Sequence, residues 1–367
     1  MTRARPAASQ ADEDWMREAI AEASRGLGRT APNPAVGCVL VKNGKEIARG
    51  HHRRAGLPHA EAEALSRARA AASGSTAYVT LEPCAHHGRT PPCAEALVAA
   101  GVARVVVGCR DLHALVAGKG LARLRRAGID VRIGVLEEEC RELVRGFDSV
   151  VTTGRPFVHL KLAASLDGRI AARGGESRWI SGAQSRRMVQ HMRARAEAVL
   201  VGIGTVLADD PRLTCRIAGA PRPLRVVLDP RLQTPPQARV IRGAGKALLV
   251  ASPSTPAARR RRLEEAGADV LCLDSRGTRG WSALLVALAQ RGVMEVLVEG
   301  GASLAASAIR AGVVRRLSIF YNPRLLGGDG VAMIAGLGVR HPERAPRLRT
   351  RSVQSVGTDL LWEGELL

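Results

Sequence analysis

Within the first hundred residues, His59-Ala60-Glu61 is followed by Pro83-Cys84 and then by Cys93. One neutral imidazole and two thiolates amount to three protein ligands, and a tetrahedral zinc with three protein ligands keeps its fourth position for water. That donor set belongs to a catalytic metal centre, not to a structural one. Zinc brings the pKa of its water down to ~7, and a carboxylate that is not a ligand can then shuttle protons beside it. Glu61, two residues beyond His59, is the candidate for that task.

Each of these residues has to be delivered by an element of structure. Pro58 precedes His59 at the start of an alanine-rich helix expected over His59 to Ala72, and Cys84 follows a strand over Ser75 to Leu81. Cys93 falls in the first turn of a helix that Pro91 and Pro92 open and Gly101 closes. The positive end of a helix favours thiolates. The rest of the first half alternates similarly. The pattern predicts a helix over Trp15 to Ser24, strands over Val36 to Val41, Arg104 to Val107 and Val131 to Gly134, and helices over Gly118 to Ala127 and from Glu137 to about Phe147.

Thr152-Thr153-Gly154-Arg155-Pro156 reads as a linker, because Gly and Pro punctuate the chain where the helical pattern fails. A second α/β series follows it. Strands are expected at Phe157 to Ala163, Ala198 to Val201, Arg225 to Leu228, Ala247 to Val250, Asp269 to Cys272, Glu295 to Val298 and Leu317 to Tyr321, with helices near 183–196, 257–266, 281–291 and 303–311. Two glycine-marked turns stand out here. Val199 to Val201 runs into a flexible Gly202-Ile203-Gly204-Thr205, and Glu295 to Val298 runs into Glu299-Gly300-Gly301-Ala302-Ser303 before a helix. Small residues let a phosphate approach backbone amides at a helix start, although neither turn is a Gly-x-Gly-x-x-Gly fingerprint, and either could serve packing alone.

The length of 367 residues suits two domains, and 46% hydrophobic with 24% charged residues describes a folded chain, not a disordered one. The charge is unusual: 55 Lys and Arg, all but five of them Arg, against 34 Asp and Glu give +21. Residues 1–150 hold 22 bases and 17 acids (+5), leaving 33 and 17 (+16) for residues 151–367. Such a balance is a first hint of nucleic-acid binding. It is opposed by an aromatic content of 2% and by the lack of any run of five basic residues, the densest being Arg259 to Arg262. The polar Thr2 to Asp14 segment has no signal-peptide core, and seven cysteines, an odd number, do not form a disulfide framework. A reducing, cytoplasmic setting is therefore expected.

Zinc deaminases share H-x-E followed by P-C-x-x-C; here eight residues, Ala85 to Pro92, separate the two cysteines. Thr80-Leu81-Glu82-Pro83-Cys84-Ala85-His86-His87-Gly88-Arg89-Thr90-Pro91-Pro92-Cys93 resembles the zinc loop of the bifunctional pyrimidine deaminase/reductases of riboflavin biosynthesis, whose insertion is this long. The resemblance extends from Asn33-Pro34-Ala35-Val36-Gly37, through Leu160 to Ala171 and Glu176 to Ser181, to Leu325-Leu326-Gly327-Gly328. It implies an α/β protein of two domains: a cytidine-deaminase-like three-layer αβα domain over residues 1–151 and a dihydrofolate-reductase-like αβα domain over 156–367.

It implies further that the first domain removes the 2-amino group of a 2,5-diamino-6-ribosylamino-pyrimidinone 5′-phosphate by hydrolysis. One zinc is held by His59, Cys84 and Cys93, with Glu61 moving protons and Asn33, His52, His86 and Asp111 touching substrate. The second domain would then reduce the ribosyl to a ribityl chain with NADPH. Cofactor positions fall on Ala163, Trp179, Thr205, Asp209 and on Gly301, Ala302, Ser303, Leu304, Ala305, Ala306 and Ser307. Substrate positions fall on Ser177, Arg193, Leu213, Arg216 and Glu299, with Lys161 added as a rare lysine among arginines. Guanidinium forks such as Arg193 and Arg216 suit a 5′-phosphate. A homo-oligomer, dimer or tetramer, without nucleic-acid or membrane partners, completes the expectation.

One departure from the family pattern is Asp111-Leu112-His113-Ala114, where Asp-Pro-Asn-Pro is usual, so that His113 replaces an Asn expected to bond the substrate. A reductase carrying an inactive deaminase scaffold is the alternative this leaves open. A nucleic-acid base deaminase with a basic binding domain is the other, although it does not explain Lys161, Trp179 or the Gly300-Gly301 turn.

Overall fold

The structure, a computed structural model, describes residues 9–85, 91–114, 116–177, 180–274 and 276–367. It divides into two compact units, Met1–Gly154 and Arg155–Leu367. The first runs α1 (Gln10–Ser24), β1 (Gly37–Lys42), β2 (Lys45–His51), α2 (Ala60–Ala68), β3 (Thr76–Leu81), α3 (Cys93–Ala99), β4 (Arg104–Cys109), α4 (Lys119–Arg126), β5 (Asp130–Ile133) and α5 (Glu137–Thr153).

Its five strands form one sheet in the order β2-β1-β3-β4-β5, antiparallel around β1 and parallel from β3 to β5. Side chains alternate across a strand. On β1, Cys38 and Leu40 join the core shared with α2, α3 and α4, while Val39 and Val41 join the core under α1 and α5. The result is three layers. Gly37 is required where α1 crosses the sheet, because a Cβ there would stand 2.1 Å from the Ala19 carbonyl oxygen. Gly50 plays the same part under α2, with 2.6 Å to the Ala60 oxygen.

Three features of the first unit differ from the sequence reading, the first being that the helix expected over His59 to Ala72 stops at Ala68, where Arg69 takes a positive φ of 50°. Strand β2 has no counterpart in that reading, and α5 continues to Thr153, ending on a left-handed Gly154 (φ 70°), so Thr152 and Thr153 are helical and not the start of a linker. Val150 remains within the turn that Gly154 closes, since the Gly154 N–H bonds the Val150 carbonyl at 2.8 Å.

The second unit runs β6 (Phe157–Ser165), β7 (Arg169–Ala171), α6 (Ala183–Arg195), β8 (Ala198–Gly202), α7 (Ile203–Asp209), β9 (Leu224–Leu228), α8 (Arg239–Arg242), β10 (Ala247–Ala251), α9 (Ala257–Glu265), β11 (Asp269–Cys272), α10 (Gly277–Ala289), β12 (Glu295–Val298), α11 (Ala302–Arg310), β13 (Arg316–Asn322), β14 (Val331–Ala332), β15 (Leu348–Val356) and β16 (Asp359–Leu366). Nine strands make one sheet, β11-β10-β9-β8-β12-β6-β13-β16-β15, parallel as far as β13 and antiparallel beyond it. Helices α10 and α11 cover one face through Trp281, Leu284, Leu288 and Ala305. On the other face Val206 of α7, Val240 of α8 and Leu263 of α9 close the second core.

Burying a Leu or Val side chain stabilises by about 1.5–3 kcal/mol, and the central strands are buried on both faces, except at Gly202 where β8 ends. Helix α6 is fixed at its start by Asp359, 2% exposed on β16. That carboxylate accepts from Gly182 N–H at 2.7 Å, Ser185 Oγ at 2.6 Å and Asn322 Nδ2 at 2.7 Å.

Candidate active sites

In the first unit, His59 is the residue before the first turn of α2 and Glu61 lies within that turn, 3% exposed. Cys84 follows β3, and Cys93 begins α3. The ligand atoms of His59, Cys84 and Cys93 all lie within 4.8 Å of one another. His59 offers Nδ1, which is 3.7 Å from Cys84 Sγ and 3.3 Å from Cys93 Sγ. The Cys93 N–H also donates to Cys84 Sγ at 3.3 Å, as expected of a thiolate at a helix start. Cys93 and His59 beside it hold the Cys84 thiol well below its ordinary pKa. Two soft sulfurs and one imidazole nitrogen at this spacing fit zinc.

Burial, reinforced by the Cys84 charge, raises the Glu61 pKa, which suits a carboxyl that must carry a proton. Glu61 forms part of the wall of a cavity of about 560 Å³, shared with His59, Cys84, Asn33, His52, Asp111 and His113. Of the expected substrate residues, Asn33, His52 and Asp111 are thus brought together with His113, whereas His86 lies outside the described residues.

His52 Nδ1 is 3.0 Å from the Pro58 carbonyl, which can only accept, so the ring proton is on Nδ1. Its Nε2 therefore accepts from Asn33 Nδ2 at 3.0 Å, which leaves Asn33 Oδ1 as an acceptor at the cavity. Burial lowers the His52 pKa and keeps that neutral tautomer. Asp111 Oδ1 accepts the His113 N–H at 2.7 Å, and the His113 ring stacks on Phe147 with centroids 6.3 Å apart and planes at 19°.

Sequence reasoning gave no role to Glu82 or Phe147. Glu82, 3% exposed, accepts Gly118 N–H at 3.1 Å and Leu121 N–H at 3.4 Å, tying the zinc loop to the start of α4. The only prior signal was its place in Thr80-Leu81-Glu82-Pro83-Cys84.

In the second unit the expected residues gather at the C-terminal ends of neighbouring strands β8, β12 and β6. Arg193 of α6 forms a fork to Glu299, Nε to Oε1 at 2.6 Å and Nη2 to Oε2 at 2.8 Å, and its Nη1 donates to the Thr214 carbonyl at 3.0 Å. Burial opposes ionisation of Glu299, but Arg193 and Lys161 outweigh it and lower its pKa. Burial pushes the Lys161 ammonium pKa down, partly countered by Glu299, and Lys161 Nζ lies 5.8 Å over the Phe320 ring.

The Gly202-to-Thr205 segment is not a flexible turn: α7 begins at Ile203, because Val206 buries itself against the second core and overrides the low helix propensity of Gly204. A Cβ on Gly301 would stand 4.0 Å from Thr205 Oγ1, so the two glycine-marked segments meet. Ser177 Oγ donates to Asp209 Oδ1 at 3.3 Å. The Gly301-to-Ser307 stretch divides in two. Leu304, Ala305 and Ala306 are buried in the core, and Ser307 Oγ accepts from Trp281 Nε1 at 2.9 Å, whereas Gly301, Ala302 and Ser303 keep exposed surface. Ala163 lies on β6, Leu213 is buried, and Arg216 is exposed; Trp179 lies outside the described residues.

A His–Cys–Cys donor set beside a buried carboxyl on an αβα sheet, followed by a second α/β unit whose glycine-marked segments meet at the strand ends, is the arrangement of a zinc-binding deaminase joined to a reductase. The profile of the cytidine and deoxycytidylate deaminase zinc-binding region matches residues 9–109, and that of the RibD C-terminal domain matches residues 156–362. The chain belongs to the RibD family and is a bifunctional enzyme of riboflavin biosynthesis. It is 42% identical over 353 residues to the riboflavin biosynthesis protein RibD of Actinobacillus pleuropneumoniae, covering 95% of this chain and 94% of that one. The structure of Acinetobacter baumannii RibD is similar with a TM-score of 0.88 and 41% identity, over 98% and 99% of the two chains. The diaminohydroxyphosphoribosylaminopyrimidine deaminase/5-amino-6-(5-phosphoribosylamino)uracil reductase of Thermotoga maritima gives a TM-score of 0.87 and 35% identity, over 97% and 99%. Among the described residues, no helix is long and apolar enough to cross a membrane.

Proposed function

We propose that the first unit hydrolyses the 2-amino group from 2,5-diamino-6-(5-phosphoribosylamino)pyrimidin-4(3H)-one, and that the second reduces the ribosyl group of the resulting uracil to a ribityl chain with NADPH. The substrate assignment draws on the activities by which the Thermotoga maritima relative is described. The observation that carries it is Glu61, a buried carboxyl two residues from the metal-donor His59, on the wall of a cavity of about 560 Å³.

His59 Nδ1, Cys84 Sγ and Cys93 Sγ hold zinc, and Thr205, Asp209, Ala163, Trp179 and the exposed start of α11 hold NADPH. Zinc supplies a Lewis acid that makes water acidic near neutral pH, and NADPH supplies a hydride. Glu61 would take one proton from the attacking water and pass it to the ring nitrogen, then carry the second, from the newly bonded hydroxyl, to the amino group, which leaves as ammonia. Asn33 Oδ1, turned by its bond to His52, accepts an N–H of the pyrimidine, and His113 and Asp111 line the same wall. In the second unit Lys161 and Glu299 face the sugar, and Ser177, Leu213, Arg193 and Arg216 make up the rest of its site. This reading keeps a cytoplasmic location, in line with seven free cysteines, and a dimer or tetramer that light scattering checks.

The test is one assay with the synthetic pyrimidine phosphate, following ammonia release and NADPH absorbance separately, with metal content measured on the same protein. The expected result is one zinc per chain and both activities. Protein that holds no zinc and neither releases ammonia nor oxidises NADPH overturns it. Zinc-loaded protein that reduces the separately supplied deaminated uracil phosphate but releases no ammonia from the diamino substrate selects the scaffold alternative and points to His113.

A further inference from the structure

Helix α6 brings more than Arg193 to the second site. One turn earlier, Gln190 meets the same loop from the same helix face, since residues three apart are neighbours on a helix. Its side-chain Oε1 accepts the Arg216 N–H at 2.9 Å, and its backbone carbonyl accepts the Cys215 thiol at 3.4 Å. Arg193 Nη1 takes the Thr214 carbonyl at 3.0 Å. Ahead of these, Leu213 holds a left-handed backbone (φ 53°) with its side chain 2% exposed, a conformation a bulky residue keeps only where its surroundings enforce it. Leu213, Thr214, Cys215 and Arg216 are thus fixed one after another. The Arg216 side chain is exposed and forms no hydrogen bond or ion pair among the described residues, whereas the Arg193 fork is occupied by Glu299.

We propose that Gln190 is a positioning residue for the reduction: it anchors the backbone of Arg216 so that this guanidinium is presented from a fixed main chain to the phosphate of the sugar substrate. The inference rests on reading the second unit as a reductase of a phosphorylated sugar. A group ordered before binding loses less conformational entropy when the ligand arrives, so the anchor acts on affinity. Removing the acceptor leaves the Arg216 N–H without its partner and frees the loop end, with the hydride-transfer geometry around Lys161 and Glu299 unaffected.

The experiment compares Gln190→Met, which keeps the length and removes the acceptor, with Gln190→Glu, which keeps an oxygen there. Full-length protein is assayed by NADPH oxidation, with ribose 5-phosphate as a competing probe. Gln190→Met raises the KM for the phosphorylated substrate and the Ki of ribose 5-phosphate by about 5–10-fold, with kcat and the KM for NADPH within about twofold. Gln190→Glu restores both. In an Arg216→Ala background Gln190→Met has no further effect, because the two act as one unit. A fall in kcat at unchanged KM, or full additivity with Arg216→Ala, overturns the proposal. If wild-type protein oxidises no NADPH, the reductase reading itself has failed, which is a separate and recognisable outcome.

Discussion

Replacing Glu197 by Gln should stabilise the second unit, and do so only when the pH is high. Glu197 Oε2 accepts the N–H groups of Met294 at 3.2 Å and Glu295 at 2.8 Å at the start of β12. Burial and the neighbouring Glu295 carboxylate raise its pKa from 4.5 to about 7. A carboxyl with a raised folded-state pKa keeps its proton while the unfolded chain loses it, so stability falls as pH rises from 4.5 to 7 and stays lowered above. That interval of 2.5 units sets a ceiling of about 3.4 kcal/mol at ~1.36 kcal/mol per unit. The side chain is half-buried and part of the penalty is screened, so we expect about 2 kcal/mol. The substituted amide has no charge to desolvate, and its oxygen can accept the same two N–H groups. For a unit of this size the gain corresponds to about 4–8 °C in melting temperature at pH 8, shrinking towards pH 5. Thermal unfolding of the full chain followed by tryptophan fluorescence at both pH values reads it. An equal shift at pH 5 and pH 8, or a lower melting temperature at pH 8, would refute the reasoning.

Glu61→Gln should lower ammonia release by about 100- to 10,000-fold, with zinc content retained and NADPH oxidation retained when the deaminated uracil phosphate is supplied; loss of zinc would show that Glu61 serves the metal instead. Gly37→Ala forces a Cβ to within 2.1 Å of the Ala19 oxygen and 2.6 Å of the Ala23 nitrogen, and should destabilise the first unit by about 2–3 kcal/mol in urea unfolding; an unchanged midpoint would contradict the close approach of α1. His113→Ala removes the ring stacked on Phe147 and should raise the deaminase KM by about 10-fold with zinc unaffected; unchanged kinetics would place His113 outside the substrate site.

The metal donors were legible in the sequence because their chemistry is nearly local: His59, Cys84 and Cys93 each stand at an element boundary marked by Pro or by a strand end. Strands buried on both faces, such as Ala247–Ala251 and Glu295–Val298, declared themselves as apolar runs. Three half-polar strands did not, although the edge strands Asp130–Ile133 and Asp269–Cys272 did. Lys45–His51 is half polar because one side of it faces water, although Asn43 (φ 52°) and Gly44 (φ 71°) are a hairpin signal that could have revealed it. The Leu348–Val356 and Asp359–Leu366 pair escaped notice for the same reason, with Arg349 and Arg351 on its outer strand paired to Glu365. Glu82 and Gln190 escaped for another reason. Their partners, Gly118 and Leu121 for one and Arg216 for the other, lie 26 to 39 residues away, and only the tertiary fold brings them together.

The Asp359 carboxylate that holds the start of α6 also sets an order in time. During synthesis, α6 leaves the ribosome long before the residue that caps it. At about 5–20 residues per second, the 205 positions between Gly154 and Asp359 take about 10–40 s. All strands of the first unit exist before that interval begins, so a nascent chain can hold zinc and fold its deaminase half while Gln190 and Arg193 still lack an anchored helix. Ribosome-bound chains stalled before and after residue 359 should therefore show an early protease-resistant deaminase unit and a late reductase unit, and resistance appearing in both at once would disprove that order.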